Sequence, residues 1–167
     1  MSKPTVYVDT NIVSFLFYRG ADLQVLKRQR ATREWWKDER PLFKLLASRA
    51  VESELADGVY PGQEKALAEV RKMAYLAYSS AVRDVEAKLL AAHVVPLNVP
   101  GDALQLAFAT VHRVDYLLSW NRAHLVSAEA QAKLAWFRAA SGLRTPLLVS
   151  PESIPKAALG ESIRRRD

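Results

Sequence analysis

Four residues of this chain have side chains that could hold a divalent cation if the fold brings them together. Asp9 directly follows a predicted β-strand, Asn121 stands just after another, and Asp102 stands at the start of a predicted helix. Glu54 lies within another predicted helix. Oxygen ligands in a chain without cysteine favour hard cations, above all Mg²⁺ or Mn²⁺. Such cations suit phosphodiester hydrolysis, because they activate water and neutralise charge on the transferring phosphorus.

Each of these acidic residues also has an ordinary structural interpretation. Asp9, directly after a strand, is typical of an Asx-turn, and Asp102 is typical of a helix N-cap. Glu54 reads as a solvated charge on a helix surface. Glu52 and Asp57 lie close to it in the sequence and compete with it for the role of second acid.

Five apolar stretches predict the strands that must position these residues, at 5–8, 42–47, 74–78, 115–119 and 146–150. Amphipathic patterns with capping and stop signals predict helices at 12–17, 22–37, 48–55, 63–73, 79–92, 102–113 and 127–140. Strands that alternate with helices predict a mostly parallel sheet covered on both faces. The expected fold class is therefore α/β, a three-layer α/β/α sandwich.

The predicted sheet gives the candidate residues a reason to meet. In open parallel sheets the functional crevice lies beyond the carboxyl ends of the strands, where Asp9 and Asn121 stand. A right-handed crossover from the helix of Asp102 into the Asn121 strand would carry the carboxylate of Asp102 toward the same edge. Carboxylates that gather in one place repel one another unless a cation lies among them. The order of elements therefore predicts a metal site at this edge.

The composition indicates one globular domain with an excess of positive charge. The chain has 167 residues, and 24 Lys and Arg against 18 Asp and Glu give a net charge of +6. This excess favours polyanionic partners, although many proteins carry such charge for solubility alone. The first residues lack a signal-peptide pattern and no run of about 18 apolar residues occurs, so we expect a cytoplasmic protein without membrane association.

Basic side chains near the predicted site are candidates for phosphate contacts. Arg28 and Arg33 belong to a basic cluster on the second predicted helix, and Arg122 directly follows Asn121. His124 lies three residues beyond Asn121, where it would either contact phosphate or serve the structure alone. A solvated basic face is the alternative for the arginines.

Three segments of the sequence, V-Y-V-D-T-N, G-D-A-L-Q-L-A-F-A and D-Y-L-L-S-W-N, occur in the order and spacing found in PIN-domain nucleases. The chain resembles that family over nearly its whole length. More narrowly, it is similar to a VapC-like group of bacterial toxins, which shares the T-R-E-W-W stretch, an E-x-x-x-G segment and a closing P-x-L-x-[ST]-P-E.

The resemblance implies a PIN-like nuclease domain at residues 1–155, followed by a polar, basic tail at 156–167. It implies that Asp9, Glu54 and Asp102 are the catalytic carboxylates that hold Mg²⁺ or Mn²⁺, with Thr10 and Asn11 in support. The fourth acidic position of many PIN domains falls on Asn121, an amide that is still able to ligate through its carbonyl oxygen.

The function implied is metal-dependent endoribonuclease activity, with an antitoxin protein as partner and a homodimer as the assembly. Two alternatives stay open. The chain would act as a catalytically silent RNA-binding or scaffolding module if its acidic residues are only caps. The same metal chemistry would also serve a DNA nuclease or a phosphatase, and the choice of RNA rests on the resemblance.

Overall fold

The computed structural model of the protein describes residues 2–156. The predicted domain falls almost wholly within this range, whereas the predicted tail lies outside it from residue 157 onward. The strands are β1 (Thr5–Val8), β2 (Lys44–Ala47), β3 (Ala74–Tyr75), β4 (Tyr116–Leu118) and β5 (Leu147–Val149). The helices are α1 (Thr10–Leu16), α2 (Leu23–Asp38), α3 (Arg49–Ala56), α4 (Gln63–Val70), α5 (Ser80–Ala91), α6 (Pro100–Val111) and α7 (Ala128–Ser141).

The five strands form one sheet in the order β3-β2-β1-β4-β5, and every pair of neighbours is parallel. The chain moves from β1 to β3 in one direction and then crosses back to β4 and β5. Right-handed crossovers that run in opposite directions place their helices on opposite faces of the sheet. Contacts among α1, α2, α3 and α4, and separately between α5 and α6, agree with this division. The predicted α/β/α sandwich with a parallel sheet is therefore confirmed.

The reversal of direction creates a switch point between β1 and β4, which are neighbours in the sheet although a long stretch of chain separates them. Val8 at the end of β1 lies beside Leu118 at the end of β4. The Asp9 N–H donates to the Leu118 carbonyl at 3.0 Å and extends the pairing by one residue. Ligand sites in such sheets lie in the crevice at the switch point.

The central strand β1 is covered on both faces, as its continuous apolar pattern requires. Val6, Tyr7 and Val8 have no exposed surface. In the part of the chain that the structure describes, no helix has both the length and the apolar character to cross a membrane.

Several predicted boundaries differ from those of the structure, and three of the differences bear on the site. The second strand begins at Lys44, because Pro41 falls within a short 3₁₀ helix at Arg40–Leu42. The third strand has only two residues, Ala74–Tyr75. Asp102 is not an N-cap: Val99 caps α6, Pro100 occupies its first turn, and Asp102 follows within that turn.

Candidate metal centre

Asp9 is held rigidly where β1 passes into α1. Its carboxylate accepts hydrogen bonds from the Thr10 N–H at 2.7 Å, the Asn11 amide at 2.9 Å and the Ser119 hydroxyl at 2.6 Å. Asp9 is also the N-cap of α1, so it has a structural role as well, of the kind expected for an aspartate that follows a strand. Only 7% of its surface is exposed, so the residue is largely shielded from water.

Asn11 and Ser119 join the ends of β1 and β4. The side-chain amide of Asn11 donates to Ser119 Oγ at 3.1 Å, and the side-chain carbonyl oxygen of Asn11 accepts from the backbone N–H of Trp120 at 2.9 Å. Ser119 Oγ also accepts from the Asn121 N–H at 2.9 Å. Asn11 thus contacts Asp9 directly, and its supporting role stays a prediction, whereas Ser119 was missed as a site residue. Within the D-Y-L-L-S-W-N segment, the sequence pattern shows Ser119 only as the end of a strand.

Burial raises the pKa of Asp9 to about 6. Hydrogen bonds from Ser119 and the Thr10 backbone oppose this rise, and the negative charges of Glu54 and Asp102 add to it. The other two predicted acids therefore both act on Asp9 electrostatically and disfavour its charged form.

Asp102 is held from a different side by the segment after β4. Its Oδ2 accepts from the Asn121 amide at 3.0 Å and lies 2.9 Å from Nδ1 of His124. An ionised carboxylate only accepts, so this imidazole nitrogen donates. The side-chain carbonyl oxygen of Asn121 accepts from the backbone N–H of His124 at 3.1 Å. Direct ligation by Asn121 would have to use the remaining lone pair of that oxygen.

Glu54 faces the site, whereas its two sequence competitors do not. Glu54 accepts from the Thr10 hydroxyl and from the Gln105 side-chain amide at 3.3 Å. Glu52 instead pairs with Arg71 at 2.7 Å and accepts from the Tyr75 hydroxyl, and these contacts hold its pKa below the usual range. Asp57 is the C-cap residue of α3.

Two of the arginines predicted to contact phosphate pack over the ring of Trp120, a buried residue two positions after the end of β4. The guanidinium groups of Arg28 and Arg122 lie 5.9 Å and 5.7 Å from the ring centroid of Trp120. Arg122 also pairs with Glu152 at 2.7 Å. Arg33 is exposed, and its Nε donates to the Leu16 carbonyl at 3.3 Å.

Protein atoms alone do not complete a metal shell here. Within residues 2–156, no three His, Asp and Glu side chains are drawn together closely enough to hold an ion by themselves. The donors present are carboxylate oxygens, which suit a hard cation that retains several waters, as Mg²⁺ usually does in proteins. The donor chemistry and the mutual repulsion around Asp9 therefore fit such an ion.

Comparison with solved structures finds the same fold elsewhere. A chain of a toxin-antitoxin complex from Klebsiella pneumoniae aligns with a TM-score of 0.54 and 15% identity, covering 89% of this chain and 99% of that chain. A chain from VapBC2 of Rickettsia felis, bound to a DNA fragment from their promoter, aligns at 0.45 and 10%, covering 87% of this chain and 98% of that chain. No protein-family model matches the sequence, and no curated protein matches it. The first likeness shows a shared fold.

Proposed function

We propose that this chain is a metal-dependent endoribonuclease of the PIN-domain type. The observation that carries the proposal is the gathering of Asp9, Glu54 and Asp102 at the switch point of the sheet. They come from the end of β1, from α3 and from α6, and the charges of the latter two raise the pKa of the first. Isolated caps would not need to act on one another, whereas carboxylates that bind one cation, directly or through the waters it retains, must lie near one another.

Asp9 and Asp102 would hold Mg²⁺ or Mn²⁺, and Glu54 would bind the ion or orient water. The bound cation supplies an activated water and neutralises charge on the phosphorus. The other residues keep the carboxylates in place. Asn121 and His124 donate to Asp102, and the Thr10 hydroxyl donates to Glu54.

A nucleic-acid substrate agrees with the net charge of +6 and with the arginines beside the site. Arg28 and Arg122 would contact phosphates, since both guanidinium groups pack over Trp120, the residue that follows Ser119 in the chain. His124 is partly exposed and would contact phosphate only through the ring atoms that Asp102 leaves open. Arg33 lies farther along α2 and would contact a longer strand. The preference for RNA comes from the family resemblance.

We further propose that the chain is the toxin of a toxin-antitoxin pair, with a cognate antitoxin protein as partner and a homodimer as its assembly in the cytoplasm. The resemblance to VapC-like toxins and the fold shared with a chain of such a complex support this. A small open reading frame beside the gene, whose product binds the chain and blocks cleavage, would bear it out. A neighbour that neither binds nor inhibits would leave an orphan nuclease.

The deciding experiment incubates the purified protein with single-stranded RNA and single-stranded DNA in Mg²⁺, Mn²⁺ or EDTA. We expect RNA cleavage that EDTA stops and that Asp9→Asn or Asp102→Asn abolishes. Asp84→Asn, an exposed change on α5, is the matched control and should cleave normally. Cleavage of DNA alone would favour the DNA nuclease. RNA binding without cleavage by the wild type would favour the silent module.

A further inference from the structure

A line of hydrogen bonds runs through the buried core to the Glu54 carboxylate. The Ser48 hydroxyl lies 2.7 Å from the Tyr7 hydroxyl, which donates to the Gln105 carbonyl oxygen. The Gln105 amide donates to Glu54 Oε1 at 3.3 Å. Ser48 and Tyr7 have no exposed surface, and Gln105 is 2% exposed.

These contacts join the three elements that carry the acidic residues. Tyr7 lies on β1, two residues before Asp9, and Ser48 is the N-cap of α3, which carries Glu54. Gln105 lies on α6 three residues after Asp102, on the adjacent turn of the same helix face. A shift of any of these elements would therefore disturb the same set of hydrogen bonds.

The negative charge of the Glu54 carboxylate determines which group donates in each of these hydrogen bonds. A hydroxyl has one proton, so the Tyr7 proton goes either to Gln105 or to Ser48. If it went to Ser48, Gln105 would turn its amide toward Tyr7 and its carbonyl oxygen toward Glu54, where two acceptors would repel. The favourable arrangement has Ser48 donate to Tyr7, Tyr7 to Gln105 and Gln105 to Glu54.

We propose that Gln105 is a positioning residue whose side-chain amide holds the Glu54 carboxylate toward the metal centre, and that Tyr7 sets the orientation of that amide. The predicted effect of Gln105 on cleavage rests on the proposed function. The contact between Gln105 and Glu54 rests on the geometry alone. A buried glutamine cannot rotate without leaving a polar group unpaired, so its direction is firmly held.

The first test is a double-mutant cycle in metal-dependent RNA cleavage. Gln105→Met keeps the volume but removes the donor, and we expect a loss of roughly 10–100-fold in rate or metal affinity. In a Glu54→Gln background the same change should add little, because its effect passes through Glu54. Thr110→Val is the control, since it removes a buried hydroxyl of α6 that donates to the Leu106 carbonyl of the same helix. An equal loss in both backgrounds would overturn the proposal.

The second test does not depend on activity. The side-chain amide resonances of Gln105 should shift in Glu54→Gln and in Tyr7→Phe, because each change alters a direct partner. The Gln105 resonances should not shift in Glu52→Gln, since Glu52 lies on α3 like Glu54 but pairs with Arg71. Unchanged resonances in Glu54→Gln would refute the contact. Shifted resonances in a protein that cleaves no RNA would refute the proposed function and keep the contact.

Discussion

The Ser119 hydroxyl donates a 2.6 Å hydrogen bond to Oδ2 of Asp9 and so ties the residue after β4 to the residue after β1. The same oxygen of Ser119 accepts from the Asn11 amide and from the Asn121 N–H. One buried hydroxyl therefore aligns the two strand ends at the switch point and stabilises the charged form of Asp9.

Replacing Ser119 with alanine should weaken both the fold and the site. We expect the free energy of unfolding to fall by about 1–3 kcal/mol, since buried donors lose their acceptor. The pKa of Asp9 should rise further, because the hydrogen bond that lowers it is lost. Denaturant unfolding and the pH profile of cleavage measure the two effects. Ser141→Ala, an exposed change on α7, is the control, and equal behaviour of both variants would show that Ser119 does not support the site.

The second acid is assigned by comparing three variants of α3 and its end. Glu54→Gln should reduce metal-dependent cleavage, because it removes the charge next to Thr10 and Asp9. Glu52→Gln and Asp57→Asn should cleave as the wild type does. Glu52→Gln should instead lower the melting temperature slightly, since it removes the Arg71 pair from an exposed surface. Loss of cleavage in Glu52→Gln with full activity in Glu54→Gln would reverse the assignment.

Without metal, stability should fall as the pH rises through the titration of Asp9. The folded pKa of about 6 lies above the model-peptide value of 3.8, so the folded state binds the proton more tightly than the unfolded state. The stabilisation is fully present below about pH 4 and is lost by about pH 7, about 3 kcal/mol at most. Denaturant unfolding in EDTA across this pH range should show the free energy of unfolding of the wild type falling as the pH rises.

Asp9→Asn serves as the matched comparison for that slope, because it no longer titrates. Its melting temperature relative to the wild type should therefore improve as the pH rises. The slope is more diagnostic than the absolute melting temperature, since the new amide would bring two donors together at the Asn11 contact. Identical slopes in the two proteins would mean that Asp9 is charged at all these pH values and acts mainly as the cap of α1.

Asn121→Asp should strengthen metal binding and weaken the apo protein. The change replaces a donor to Asp102 by a second carboxylate of nearly the same shape. We expect a lower melting temperature in EDTA, tighter binding of Mg²⁺ or Mn²⁺ in calorimetric titration, and cleavage at lower metal concentration. Unchanged affinity and stoichiometry would show that Asn121 does not face the metal and acts only by holding Asp102.

Much of the fold follows from the sequence because strand and helix periodicity is local. The continuous apolar run before Asp9 identifies a strand buried on both faces, and Ser48, Ser79 and Ser127 signal helix starts that the structure has. The parallel sandwich follows from the alternation of these elements. The position of Asp9 directly after β1, and that of Asn121 shortly after β4, are likewise properties of the sequence.

Which acidic residue of α3 meets the site was decided only by the tertiary structure. Glu52 and Glu54 are about 200° apart around a helix that turns about 100° per residue, so only one of them faces Thr10. The sequence pattern carries no information on how the helix is rotated about its axis. That rotation is set by packing of Val51 and Leu55, which are both buried, against the rest of the core.

The buried polar contacts also had to come from the structure. Tyr7 stands in a strand whose pattern is simply apolar, and its partners lie 41 and 98 residues away in the chain. Ser119 meets an aspartate 110 residues before it. A hydroxyl or amide in an apolar run is buried at a cost unless such partners exist. Only the folding of distant segments onto one sheet edge determines what those partners are.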